Sequence, residues 1–136
     1  MSPQPKNTSY EVRYHESMKE FLSHQHKRFG NAVNGFWLAY ASDKNFRLQV
    51  WSGLFFLGFA YLMKPLTDTE AFFLVLSYIL ILITELQNTS FEVALDRMHP
   101  DHHEEIGASK NIAAAAVLTA GIFAAIVIVT IFLNRV

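Results

Sequence analysis

Glu85-Leu86-Gln87-Asn88-Thr89-Ser90-Phe91-Glu92-Val93-Ala94-Leu95-Asp96 follows directly on an uncharged, largely apolar run, residues 71–84. The two stretches read as one helix that begins in lipid and ends polar. At roughly 100° per residue, Glu85, Asn88, Thr89, Glu92 and Asp96 fall within about 100° of one another. Three carboxylates, an amide and a hydroxyl therefore share one stripe. A carboxylate at bilayer depth costs on the order of 3 kcal/mol even on the mildest insertion scale. Repeating that cost on one face predicts a use for the oxygens. The competing reading is a polar stripe that only joins helices, or a helix that has already left the lipid.

Outward from this stretch, the chain has room for one domain in its 136 residues. It is 51% apolar and 14% aromatic, with a formal net charge of −1, which gives no electrostatic case for nucleic acid. There is no cysteine, so disulfides, a thiolate nucleophile and a thiolate zinc site are excluded. Redox compartment does not follow from that absence.

Residues 1–14 read as a flexible polar tail, because Pro3, Pro5, Asn7, Thr8 and Ser9 crowd out any periodicity. The tail has no apolar core ahead of a small-residue cleavage site and does not read as a signal peptide. The remainder, 15–136, reads as a single membrane domain. From 15 to about 41, Met18, Phe21, Leu22, Phe29, Val33, Phe36, Trp37 and Tyr40 recur at helical spacing. Lys19, Glu20, His24, His26, Lys27 and Arg28 fill much of the other side, which predicts an amphipathic helix at the membrane surface. Ser42-Asp43-Lys44-Asn45 predicts a bend. Three spans follow, at about 46–63, 70–98 and 110–133; the first is slightly short and needs its flanks to snorkel. Thr67 or Asp68 is placed to cap the second. His99-Pro100-Asp101-His102-His103-Glu104-Glu105 predicts a wet loop, and Ala113–Ala116 a small-residue packing surface. The expected fold is an all-α integral membrane protein, a surface helix plus three transmembrane helices.

Lysine and arginine set the orientation. Lys27, Arg28, Lys44, Arg47, Arg97 and Lys110 gather on one side, and Lys64 and Arg135 on the other. The positive-inside rule then puts the amino terminus in the cytoplasm and the carboxyl terminus outside. Asp43, Glu92, Asp96 and Lys110 meet at the cytoplasmic face, with Glu85 about 10 Å deeper than Glu92 at 1.5 Å per residue. Carboxylate and amide oxygens suit Mg²⁺, which binds through one or two carboxylates plus phosphate. Lys110 can meet a phosphate as a point charge, and Glu85 can take a proton from a hydroxyl presented by the bilayer. These parts describe phosphoryl transfer from a nucleotide to a lipid alcohol, without any phosphate-binding glycine loop.

The Glu85–Asp96 stretch resembles the signature of the small prokaryotic membrane kinases, the diacylglycerol kinase and undecaprenol kinase family, at every polar position. Arg28-Phe29, Asn34-Gly35, Ala39, Asn45-Phe46-Arg47, His103, Lys110 and Ala115-Ala116-Val117-Leu118 match as well. The resemblance runs from about Lys27 to Leu133. It implies a homotrimer in the bacterial cytoplasmic (inner) membrane, with active sites shared between subunits, ATP as phosphoryl donor, Mg²⁺ as cofactor and a lipid alcohol as substrate. It implies Glu85 as catalytic base and Glu92 and Asp43 as metal ligands. Asn88, Lys110 and Asn111 fall at positions that serve nucleotide and phosphate, and Arg28 is a further candidate for phosphate.

Three departures stand out. Asp43 is one methylene shorter than the family's usual glutamate. Gln87 and Phe91 replace aliphatic residues. Asn111 replaces the aspartate of a Lys-Asp pair, which predicts weakened activity or, alternatively, an inactive member that binds nucleotide or lipid. Asn45-Phe46-Arg47 and the stretch Lys110–Ala114 are more similar to the undecaprenol type than to the diacylglycerol type. A different class of reading makes a transition-metal site of the His-rich loop.

Overall fold

The computed structural model describes residues 8–98 and 104–135, with the side chains of the first helix described from residue 18 onward. Four helices follow one another: α1 Thr8–Ser42, α2 Lys44–Leu62, α3 Asp68–Met98 and α4 Glu104–Leu133. The chain divides into two compact units, residues 1–37 and 38–136. The first unit is helical from Thr8, and its side chains from 18 to 37 are exposed. The helix thus starts earlier than the expected 15. After Pro5 no proline or glycine interrupts the sequence before Gly30, so nothing in 8–14 opposes a helix.

The second unit holds the last turn of α1 and the whole of α2, α3 and α4. Asp43 alone separates α1 from α2. It is extended (φ −106°, ψ 123°), and its Oδ1 accepts from the backbone N–H groups of Asn45 (2.7 Å) and Phe46 (3.3 Å), capping α2. Arg47 turns back and donates to the carbonyls of Tyr40 (3.1 Å) and Ala41 (2.8 Å), which satisfies the end of α1. At the other end of α2, Thr67 and Glu70 form a reciprocal capping box that starts α3. Arg135 lays both arms of its guanidinium on Glu70 (2.7 and 3.0 Å) and donates to the carbonyls of Met63 and Pro65. That clamp holds the end of α4 against the α2–α3 connection.

α3 is central, with α2 and α4 both packed on it. Leu74, Ile81, Ala120, Ala124, Val127 and Ile131 form the core with Phe56. The small residues that let α4 approach are Ala120 and Ala124. Ala114–Ala116, earlier on α4, are exposed in the single chain. Gly53 does the same for α2, since the Tyr78 hydroxyl lies where a Cβ would stand and donates to the carbonyl of Val50 at 3.0 Å.

The distribution of polarity is inverted relative to a water-soluble domain. Leu54, Leu57, Val75, Ile79, Leu118, Ile122 and Ile126 face outward, whereas Ser77, Glu85, Asn88 and Thr89 are buried. Both α3 and α4 are long and apolar enough to cross a membrane. By that measure α2 is not, because Lys44, Asn45, Arg47 and Gln49 occupy its first six residues. α3 is described to Met98, the last described residue before His99-Pro100. The His-rich stretch 99–103 lies outside the described residues, while Glu104 and Glu105 form the first turn of α4, where the helix dipole favours acidic groups.

Candidate active site

The buried side of α3 reads Leu74, Ser77, Ile81, Glu85, Asn88, Thr89. Steps of three and four keep these residues in one seam, apolar at first and polar from Glu85 onward. The acidic stripe is therefore the continuation of the packing face itself, and this explains how it escapes the lipid. Glu85 is 4% exposed, and Asn88 and Thr89 are each 6% exposed.

Four of the expected site residues meet here. Asn88 donates from Nδ2 to Glu92 Oε1 at 3.0 Å. Its Oδ1 is buried and, among the described residues, has no hydrogen-bond partner. Asp43, at the head of α2, reaches α3 through Thr89, whose Oγ1 donates to Asp43 Oδ2 at 2.5 Å. Thr89 Oγ1 also lies 2.9 Å from the carbonyl of Glu85, one turn back. Asp43 and Glu92 are the charges that act on Glu85. Two like charges beside one buried carboxylate are unfavourable unless protons or cations join them.

Lys110 forms an ion pair with Asp96, joining the end of α3 to the start of α4. Asn111 is exposed on the next position of α4. Arg28 belongs to the first unit, exposed on α1. A shallow groove of about 260 Å³ lies between α3 and α4, lined by Glu70, Phe73, Val127 and Asn134 among others. It shares no residue with the acidic seam.

Two residues in the stripe were given no separate role from sequence. Thr89 is the link between Asp43 and α3, and Asp96 is the partner of Lys110. The signal for both was their place on the stripe. What sequence spacing could not supply was the partner, because Asp43 is 46 positions from Thr89 and Asp96 is 14 from Lys110.

Among the described residues, no three His, Asp or Glu side chains converge into a ready-made metal cage. A cation that shares its coordination with phosphate oxygens and water does not need one. The donor types fit such a cation: carboxylates at Asp43 and Glu92, with an unpartnered amide oxygen on Asn88, the residue bonded to Glu92.

No curated protein matches the chain. Residues 30–132 match the family model of prokaryotic diacylglycerol kinase. That match covers α1 from Gly30, all of α2 and α3, and α4 up to Phe132. With Glu85 buried on an apolar helix, Asp43 and Glu92 acting on it and a lysine held at the helix's end, the chain belongs to the prokaryotic diacylglycerol kinase family of membrane lipid kinases, which take ATP as phosphoryl donor.

Proposed function

We propose that this protein phosphorylates a membrane lipid alcohol at the cytoplasmic membrane interface, with undecaprenol favoured over diacylglycerol. The observation that carries the reading is the buried Glu85, without an ion-pair partner among the described residues, at the inner end of a seam whose outer members are Asn88 and Glu92. A hydroxyl arriving from the lipid meets Glu85, while a nucleotide arriving from water meets Glu92, Asp96 and Lys110. In the transfer step the lipid oxygen attacks the γ-phosphorus of ATP. A new P–O bond forms, the bond from that phosphorus to the β–γ bridging oxygen breaks, ADP leaves and the hydroxyl proton passes to Glu85.

Glu92 and Asp43 would hold Mg²⁺, which supplies charge neutralisation for the phosphates when bound. Asn88 fixes Glu92 through its amide and offers its free Oδ1 to the nucleotide side. Lys110 binds phosphate, and Asn111 stands beside it at the same helix start. Arg28 is assigned a supporting phosphate contact. The resemblance in Asn45-Phe46-Arg47 and Lys110–Ala114 supports undecaprenol. The resemblance to the family as a whole supports a homotrimer with shared sites, in a multi-pass arrangement with three crossings.

The test is direct. Protein purified in detergent is given Mg-ATP with undecaprenol or diacylglycerol, and phosphorylated lipid is measured. Faster turnover of undecaprenol is expected. Product from diacylglycerol alone would reverse the substrate assignment, and product from neither would overturn the kinase reading.

A further inference from the structure

We infer that Thr89 is a positioning residue whose hydroxyl fixes the carboxylate of Asp43 beside the acidic seam, so that the shorter aspartate serves at a position where a longer glutamate would reach unaided. The inference rests on the kinase reading given above, and it concerns how this chain's own side chains are held.

Asp43 has two tasks at once. Its Oδ1 caps α2 by accepting from the N–H groups of Asn45 and Phe46. Its Oδ2 accepts from Thr89 at 2.5 Å. Held from opposite sides, the carboxylate plane cannot rotate. Each carboxylate oxygen has two lone pairs; Oδ1 spends both on Asn45 and Phe46, so Oδ2, with one bond from Thr89, is the oxygen that keeps capacity for a further ligand. Ligating carboxylates are commonly oriented in this way by a hydrogen bond from outside the coordination sphere. Without Thr89, Asp43 still caps α2 through one oxygen, but its other oxygen is free to turn away from Glu85.

Burial strengthens the case. Thr89 is 6% exposed, and its single hydroxyl proton has the carbonyl of Glu85, four residues back, as its alternative acceptor. That local bond is common to helical threonines and would serve packing alone. The bond to Asp43 is different in kind, because it joins α3 to the corner between α1 and α2. It is also charge-assisted, the stronger class of hydrogen bond.

Two variants separate positioning from packing. Thr89→Ser keeps the hydroxyl, and Thr89→Val keeps the shape without it. Binding of Mn²⁺ in the presence of a non-hydrolysable ATP analogue is followed by electron paramagnetic resonance on the full chain. Thr89→Val should weaken Mn²⁺ binding about tenfold, Thr89→Ser should stay near the parent, and Thr89→Val should add nothing on an Asp43→Asn background. Equal Mn²⁺ affinity for Thr89→Val and the parent, or full additivity with Asp43→Asn, would overturn the inference. Thermal melts of the same variants without metal provide the second readout. Non-additive shifts for Thr89→Val and Asp43→Asn are expected there, and additive ones would overturn the inference even if metal binds. A parent that fails to bind Mn²⁺ with nucleotide would instead overturn the metal-dependent kinase reading, with the melts still deciding whether Thr89 holds Asp43.

Discussion

A carboxylate as buried as Glu85 needs a reason to remain. With Asp43 and Glu92 adding to its electrostatic cost, packing alone would favour replacing it by glutamine. Glu85→Gln should therefore keep or raise thermal stability while lowering phosphoryl transfer by about 10²- to 10⁴-fold, the range for loss of a general base. Nucleotide binding should be unchanged. Near-normal turnover in that variant would remove Glu85 from the base role. Lys110 calls for a different expectation from the one its neighbour suggests. Residues i and i+1 on a helix do not face each other, so position 111 is poorly placed to orient Lys110. Asp96 does so instead. Asp96→Asn should raise the KM for ATP by about threefold to tenfold with a smaller change in kcat, as an exposed ion pair is worth up to about 1 kcal/mol, and slightly more where it orders a ligand. Asn111→Asp should change KM by less than about threefold. If Asn111→Asp proved the larger effect, the lysine would answer to residue 111 after all.

At the level of the helices, the contact between α2 and α3 turns on Gly53. A Cβ there would lie 2.5 Å from the Tyr78 hydroxyl and 2.9 Å from Cζ, so the ring must move and its bond to Val50 is strained. Gly53→Ala should destabilise the fold by about 1–3 kcal/mol, read as a lower melting temperature in detergent. Tyr78→Phe added to it should recover part of the loss, since the hydroxyl is removed while the ring carbon stays close. A melt unchanged in Gly53→Ala would show that the two helices pack differently. Sequence alone gave no hint of this contact, because the glycine and tyrosine are 25 positions apart and neither belongs to a periodic pattern. The stripe on α3 was legible for the opposite reason. Its members are on one helix, where spacing fixes direction, and the bend at Asp43 was legible because Ser-Asp-Lys-Asn is turn chemistry. Which alanines of α4 pack within one chain, Ala120 and Ala124, is not legible, because any alanine run offers a smooth surface and only the partner helix selects among them. The helix over 8–14 is less legible, because Pro3 and Pro5 lie close to a stretch that itself contains neither proline nor glycine.

For the whole molecule, α2 decides whether the chain crosses the membrane two or three times. Its uncharged segment, Leu48–Leu62, is about 22 Å long at 1.5 Å per residue, short of the roughly 30 Å hydrocarbon core. Composition alone would leave it out. The hydrogen bonds at its two ends argue the other way. Asp43, just before α2, is bonded to Thr89 in the last third of α3. Met63, just after it, is bonded to Arg135 at the end of α4, and Arg135 also holds Glu70 in the first turn of α3. Between these points α2 runs beside α3, with Val50 against Tyr78. Wherever α3 enters and leaves the apolar layer, α2 therefore covers nearly the same depth, and Lys44 and Arg47 can snorkel at the inner surface. Three crossings put the chain's two ends on opposite sides, whereas two crossings by α3 and α4 alone would return them to the same side. With Lys44, Arg47, Arg97 and Lys110 at the more basic end of the helices, the positive-inside rule predicts a cytoplasmic amino-terminal end and a carboxyl-terminal end outside. Reporters fused in turn to each end, one active only in the cytoplasm and one only beyond the membrane, make the measurement. Activity of the same reporter at both ends would mean that α2 does not cross. Opposite activities with the cytoplasmic reporter working at the carboxyl end would keep three crossings but place the acidic seam away from cytoplasmic ATP.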